Sequence, residues 1–199
     1  MSNNYKEETI DTYNKGIESF AKKFKERFDL KRRKEFQIFI QNLKGNKILD
    51  LGCGAGDHAL YFKQQGLDVT AIDLSDEMLK LTREKGINAI KMDIEELKFN
   101  PNTFDGIWAA SSLLHVSKKE LPRVIETLRV ILKENGLLFI GVFEGEGEEN
   151  REGKFGRRFF SYWKEDELTS MLKKDFDLIS FHRASRNERV FLHFTFIKR

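Results

Sequence analysis

An apolar run, Lys47-Ile48-Leu49-Asp50-Leu51, passes directly into Gly52-Cys53-Gly54-Ala55-Gly56-Asp57, three alternate glycines that open a helix. A strand ending in such a turn belongs at the carboxyl edge of a sheet. The glycines, with no Cβ, adopt positive φ and bring bare backbone close to whatever lies beyond. The pattern points to a ligand site just past the strand. A tight strand-to-helix connection with nothing bound would use the same residues.

The residues that follow narrow the ligand. Val69-Thr70-Ala71-Ile72-Asp73 reads as a second short strand ending in an acid. It lies near the ~20-residue offset at which nucleotide folds place the carboxylate that accepts from ribose hydroxyls. A dinucleotide turn follows G-x-G-x-x-G, but here the third glycine comes one place early and Asp57 stands at the later position. An acid at a helix N-terminus repels phosphate where the dipole would otherwise attract it. A ligand with positive charge and no phosphate suits the site better. S-adenosylmethionine, with a sulfonium, an ammonium and a free ribose, is such a ligand.

Four blocks in order, ILDLGCGAG, VTAIDLSDEMLK, IKMDIEEL and FDGIWAASSLLHV, resemble the motifs of class I S-adenosylmethionine-dependent methyltransferases over roughly residues 46–145. The resemblance implies that Asp50, Gly52, Cys53, Gly54 and Gly56 face the methionine part of the cofactor. It implies that Asp73 takes the ribose hydroxyls and that Leu74 and Met78 pack near the adenine. Asp93 would accept from the adenine amino group, the Ile94 N–H would meet a ring nitrogen, and Ala109 would border the cofactor. The product would be S-adenosylhomocysteine, with no metal required. Read from the residues alone, Asp93 is also an N-cap for the Glu95-Glu96 turn, and Met78 is also a core residue.

At 199 residues and 40% hydrophobic, the chain can bury one sizeable core and is short for two. A single domain is expected over 1–199: N-terminal helices or lid over 1–44, a cofactor core over 45–144, and a substrate loop with a C-terminal hairpin over 145–199. The net charge of +3 permits nucleic-acid contact without arguing for it. One cysteine, Cys53, allows no disulfide within the chain. The polar N-terminus and the lack of an apolar run approaching ~20 residues predict a soluble, cytoplasmic protein, monomeric or homodimeric and off the membrane.

Residues Ile17 to Leu43 carry Phe20, Phe24, Phe28, Phe36, Phe39, Ile40 and Leu43 at three- and four-residue steps. That spacing predicts two amphipathic helices, or one that bends near Asp29. The basic run through Lys31-Arg32-Arg33-Lys34, interleaved with Glu26 and Glu35, reads as a solvated helix face. Helices are expected over Asp57–Gln65 and Ser75–Lys85, each stopped by glycine, and over Leu121–Leu132. Strands are expected over Asn88–Met92, Phe104–Ala110 and Leu137–Phe143. Asp175–Ala184 and Val190–Lys198 read as a hairpin turning at Ser185-Arg186-Asn187-Glu188. The alternation gives an α/β fold: a Rossmann-like three-layer α/β/α sandwich around a mostly parallel sheet. The resemblance implies seven strands with one reversed, and the chain order agrees.

Methyl transfer from a sulfonium is an in-line displacement by a donor already activated, so the protein mainly aligns donor and acceptor and excludes water. A base helps where the acceptor must lose a proton. Ser111-Ser112-Leu113-Leu114-His115 follows the fourth strand, and His115, with an ordinary pKa near ~6.5, is the candidate catalytic base. It is equally a structural histidine bonding the helix start near Val116-Ser117. His58, His182 and His193 show no metal-type spacing.

Glu144 to Trp163 reads as a mobile glycine-rich loop leading into an aromatic cluster. This substrate lid would place Glu144, Arg158, Phe160 and Tyr162 against the acceptor. Phe159, Phe160 and Tyr162 fit a buried strand before a helix over Lys164–Lys174 as well. Arg157 and Arg158 hold an acidic acceptor or lie on the surface. Asp11-Thr12-Tyr13-Asn14 resembles the tyrosine-bearing opening segment of related methyltransferases, in which Tyr13 covers the cofactor or anchors its helix.

The leading expectation is therefore a methyltransferase acting on a small molecule. An RNA-base or protein methyltransferase and a non-catalytic S-adenosylmethionine-binding module are the alternatives. Nucleic acid is the less favoured partner, because the two prolines, Pro101 and Pro122, are isolated and no Asn/Asp-Pro-Pro-aromatic element exists. A nucleotide-dependent oxidoreductase is disfavoured by the displaced third glycine and Asp57.

Overall fold

The computed structural model describes residues 4–25, 34–186 and 189–199. Phe28, the expected bend near Asp29 and the basic run through Arg33 lie outside these residues, as do Asn187 and Glu188 of the hairpin turn. Three helices, α1 (Asn4–Lys15), α2 (Ile17–Lys25) and α3 (Lys34–Asn42), precede the first strand. The last two answer the phenylalanine spacing. Helix α1 is the helix expected around Tyr13, but no apolar period marks its bounds, because the face it buries carries Thr9 and Thr12, 6% and 3% exposed. Each of these threonines returns a bond to the carbonyl four residues back. An apolar-period reading does not register such a helix.

The core alternates strand and helix: β1 (Lys47–Leu51), α4 (Asp57–Gln64), β2 (Asp68–Asp73), α5 (Asp76–Glu84), β3 (Asn88–Lys91), β4 (Phe104–Ala110), α6 (Leu121–Ile131) and β5 (Leu132–Phe143). After β6 (Glu148–Gly153), β7 (Gly156–Ser161) and α7 (Glu165–Leu172) come β8 (Phe176–Arg186) and β9 (Arg189–Lys198). Seven strands form one sheet in the order β3-β2-β1-β4-β5-β9-β8. All neighbours are parallel except around β9, which runs antiparallel to both β5 and β8. The Rossmann-like sheet with one reversed strand is thus as expected. Its order changes direction between β1 and β4, and the crevice beyond their carboxyl ends is the place such sheets offer a ligand.

Two expectations are corrected. Strand β5 starts at Leu132 rather than Leu137, directly from α6, and its register with β4 shifts across Phe104/Gly106 where Asn135 takes φ 62°. The expected loop after Glu144 is a hairpin: β6 and β7 pair antiparallel from Glu148↔Ser161 to Gly153↔Gly156. Phe159 and Phe160 are buried in β7, so the buried-strand alternative holds.

Alternation along β1 sends Ile48 and Asp50 to one face and Leu49 and Leu51 to the other. The first face packs an aromatic cluster of Phe36, Phe39, Phe62, Trp108 and Phe139, joined by α4 and α5. The second packs α6 and α7 through Leu121, Val124, Leu128, Leu168 and Leu172. Trp108 stacks on Phe139 at 3.7 Å between centroids and is fully buried, its indole N–H donating to His58 Nδ1 at 3.0 Å. Trp108→Ala empties the centre of this layer and is expected to cost about 3–5 kcal/mol. Urea unfolding measures it.

Candidate active site

The glycine turn closes over the end of β1 with φ of 73°, 53° and 79° at Gly52, Gly54 and Gly56. The N–H groups of Gly52 and Cys53 both donate to the Ile72 carbonyl at 2.9 Å, tying the turn to β2. A Cβ on Gly52 would lie 2.5 Å from Ser112 Cβ, and one on Gly56 2.7 Å from Thr82. The space those two glycines leave is therefore filled by the chain itself as well as facing a ligand. Gly54 donates its N–H to Asp73 Oδ2 at 2.9 Å and accepts from Thr82 Oγ1 at 2.9 Å. The Cys53 thiol is pushed well up by burial.

Asp73 also accepts from the Ser75 N–H through Oδ1 at 2.9 Å, so one carboxylate joins the glycine turn to the start of α5. Burial raises it above the ordinary carboxylate range despite these bonds. Asp50 is 2% exposed, and its Oδ2 has no hydrogen-bond partner. Burial, then the charge of Asp73, pushes Asp50 up to about 7. Two buried acids thus share this corner. Asp57 differs from expectation: Lys85 Nζ meets its carboxylate at 2.6 Å while donating to the Ala55 carbonyl, so its charge is compensated within the turn.

At the third corner, Asp93 caps the short turn Ile94–Glu96 by accepting from the Glu95 N–H at 2.9 Å, as the residue-level reading allowed. Its other oxygen receives Lys6 Nζ at 2.7 Å. The Ile94 side chain reaches 3.6 Å from where a Gly52 Cβ would stand, bringing this corner to the glycine turn. Helix α1 reaches the second and third of these corners. Lys6 holds Asp93, Asn14 Oδ1 accepts from Ser75 Oγ at 2.6 Å, and Ser75 in turn caps α5 through the Met78 N–H. On its other side, Thr9 Oγ1 accepts from the Phe159 N–H at 2.9 Å and Thr12 donates to the Arg157 carbonyl at 2.7 Å.

Tyr13 and His115 meet at the centre. The His115 Nδ1 lies 2.6 Å from the Phe159 carbonyl, which can only accept, so Nδ1 carries the proton and Nε2 accepts from the Tyr13 hydroxyl at 2.9 Å. Burial lowers His115 to about 4. Neither sequence expectation describes it: the ring bonds no helix start, and it is not poised near 6.5. Arg158 Nη1 donates to the Tyr13 hydroxyl at 3.4 Å. Phe160 packs beside His115, 5.0 Å between centroids, and Tyr162 donates to Glu149.

Glu144 stands apart. One step along β5 from Phe143, it pairs with Arg183 at 2.6 Å in a surface cavity of about 560 Å³ shared with Lys164, Asp166 and Thr169. Arg157 pairs with Glu152 at the surface. Ala109 and Met78 are buried, Ala109 in the layer against α6. Lys6, Asn14 and Ser112 were missed. All three lie in stretches without apolar period, and only the fold carries them to the site.

Residues 48–136 match the family described as a methyltransferase domain. The matched residues run from β1 into the start of β5, the part of the sheet that carries the glycine turn and the acids at its carboxyl edge. A ubiquinone biosynthesis O-methyltransferase of Xylella fastidiosa is 35% identical over 105 residues, 49% of this chain and 42% of that protein. The chain thus spans less than half the length of that curated relative. Among solved structures, the methyltransferase fold is shared with a complex of DhpI with SAH, at TM-score 0.80 and 21% identity, covering 100% of this chain and 98% of that one. It is shared also with the Burkholderia thailandensis 1,6-didemethyltoxoflavin-N1-methyltransferase, at TM-score 0.75 and 22% identity, covering 100% and 91%.

The pair of acids at the glycine turn carries a pH signature. Native Asp50 holds its proton to about 7 against an ordinary 3.8, so stability from this group is present below ~4 and is lost as pH rises through 7. Asp73 shifts in the same direction. His115 acts oppositely: buried neutral, it adds stability above 6.5 that is lost as pH falls towards 4. Asp50→Asn is expected to gain on the wild type between pH 5 and 8, by up to about 1.4 kcal/mol per pH unit, with the histidine contribution cancelling in the difference. Urea midpoints across that range check it.

Proposed function

We propose that this protein is an S-adenosylmethionine-dependent methyltransferase that moves the donor methyl to a small-molecule acceptor by in-line displacement. The observation that carries the reading is the unpartnered, buried Asp50 Oδ2 beside Asp73, two acids at a glycine turn that form no ion pair among the described residues. A pyrophosphate would add charge of the wrong sign, whereas an ammonium and a sulfonium offset it. When bound, the cofactor supplies an activated methyl group.

The residues act by holding. Asp73 keeps free lone pairs on both oxygens beyond its bonds to Gly54 and Ser75, enough to accept from ribose hydroxyls. Leu74 and Met78 flank that corner. Asp93 and the Ile94 N–H serve the adenine edge. Helix α1, with Tyr13 inward, covers the crevice and excludes water. His115 is neutral at physiological pH and orients the Tyr13 hydroxyl, a positioning role in place of the base read from sequence. No described helix is long and apolar enough to cross a membrane. We place the protein in the cytoplasm as a single domain, monomeric or homodimeric.

Calorimetric titration with S-adenosylmethionine, S-adenosylhomocysteine and a nicotinamide dinucleotide tests the reading. The first two are expected to bind and the dinucleotide to give no heat; the reverse result overturns it. Asp73→Asn is expected to weaken S-adenosylhomocysteine by about 1–3 kcal/mol, because one oxygen must both serve the backbone and accept from ribose. Affinity for S-adenosylmethionine is expected to rise with pH up to about 7, since Asp50 must lose its proton to solvent before its carboxylate can pair with the bound cation.

A further inference from the structure

Three guanidinium groups, those of Arg151, Arg158 and Arg189, lie near one another, and none forms an ion pair among the described residues. The Arg158 Cζ lies 5.4 Å from the Tyr13 ring centroid, 5.0 Å from Phe20 and 5.2 Å from Phe160. The Arg189 Cζ lies 5.0 Å from Phe143, whose ring is 5.8 Å from Phe160, so both cations rest on one aromatic wall. Strand register sets Arg151 directly opposite Arg158, and like charges so placed are destabilising. The carboxylate facing them, Glu149, already accepts from Tyr162. Among the described residues, no carboxylate lies within 4 Å of Arg151, Arg158 or Arg189, whereas neighbouring Arg157 and Arg183 are each paired. Burial, and then the charges of Arg151 and Arg158, lower Arg189, which fixes their proximity.

A fold that retains half-buried like charges at a cost has a reason to do so. Arg158 is one hydroxyl from Tyr13 and His115, and Tyr13 sits on the helix that caps the cofactor corner. Resting on the methyltransferase reading above, we propose that Arg158 and Arg189 bind an anionic group of the methyl acceptor, making it a small acid, carboxylate or phosphate, flanked by Phe143 and Phe160. Guanidinium forks match either anion in bidentate fashion, and the rings suit a planar body. Sequence reading had Arg158 and Phe160; Arg189 comes from β9, beyond any motif.

Benzoate, phenyl phosphate and neutral benzyl alcohol, titrated into protein saturated with S-adenosylhomocysteine, test this. At least one anion is expected to bind ten-fold or more tightly than the alcohol, and which one does separates carboxylate from phosphate. Arg189→Gln and Arg158→Gln are each expected to remove most of that preference, and Arg158→Lys to retain part. Thermal melts establish that each variant is folded, and Arg189→Gln is expected to leave S-adenosylhomocysteine affinity within two-fold. Equal binding of anion and alcohol, no binding of either anion, or an unchanged preference in both Gln variants overturns the proposal. Failure of S-adenosylhomocysteine to bind the wild type would instead overturn the methyltransferase reading.

Discussion

One carboxylate, Asp73, organises the carboxyl edge of the sheet. Its two oxygens take the N–H of Gly54 and of Ser75, so the glycine turn after β1 and the first turn of α5 are fixed against one group at the end of β2. Gly54 can present its N–H there because its φ of 53° turns the peptide inward. Ser75, held at its backbone, is free to cap α5 with its hydroxyl and to donate to Asn14. The lid helix is thus attached to the same acid through two intervening bonds. Asp50 beside it is buried, and its Oδ2 meets no hydrogen-bond partner among the described residues. The proposed cationic donor rests on that pair of acids.

Closure over that corner depends on polar contacts. Helix α1 meets β7 through Thr9, Thr12 and main-chain groups, and meets the sheet edge through Lys6, Tyr13 and Asn14. Each such bond is worth about 0.5–1.5 kcal/mol net, because water offers nearly as good a partner. An interface built this way has a defined geometry with little burial of oil-like surface. The aromatic layer under Trp108 is the opposite case: it joins α3, α4 and the sheet through close-packed apolar side chains.

The parts legible in the sequence were those with a local signature. Alternating strand and helix patterns, glycine stops at Gly66 and Gly86, and the Ser75 cap gave the core elements nearly to the residue. Asp73 stood out because it ends a strand, whereas Asp50 and Asp93 were singled out by the resemblance to methyltransferase motifs. The bounds of helix α1 were not legible, since its buried face is threonine rather than aliphatic, and neither was the β6–β7 hairpin, whose first strand is Glu-Glu-Asn-Arg-Glu-Gly and wholly exposed. His115 was found by position but misread in character. Its pKa is set by burial and by the Phe159 carbonyl, 44 residues on.

By itself, the sequence determined the sheet order's raw material, the positive-φ turn and the acids at the strand ends, because dihedral preference and side-chain alternation act over a few neighbouring residues. Tertiary structure alone decided which charges are left without partners. Asp57 finds Lys85 and Glu144 finds Arg183, while Asp50, Arg158 and Arg189 form no ion pair among the described residues. Pairing depends on distances across the fold and on desolvation, and neither is encoded in the spacing of residues along the chain.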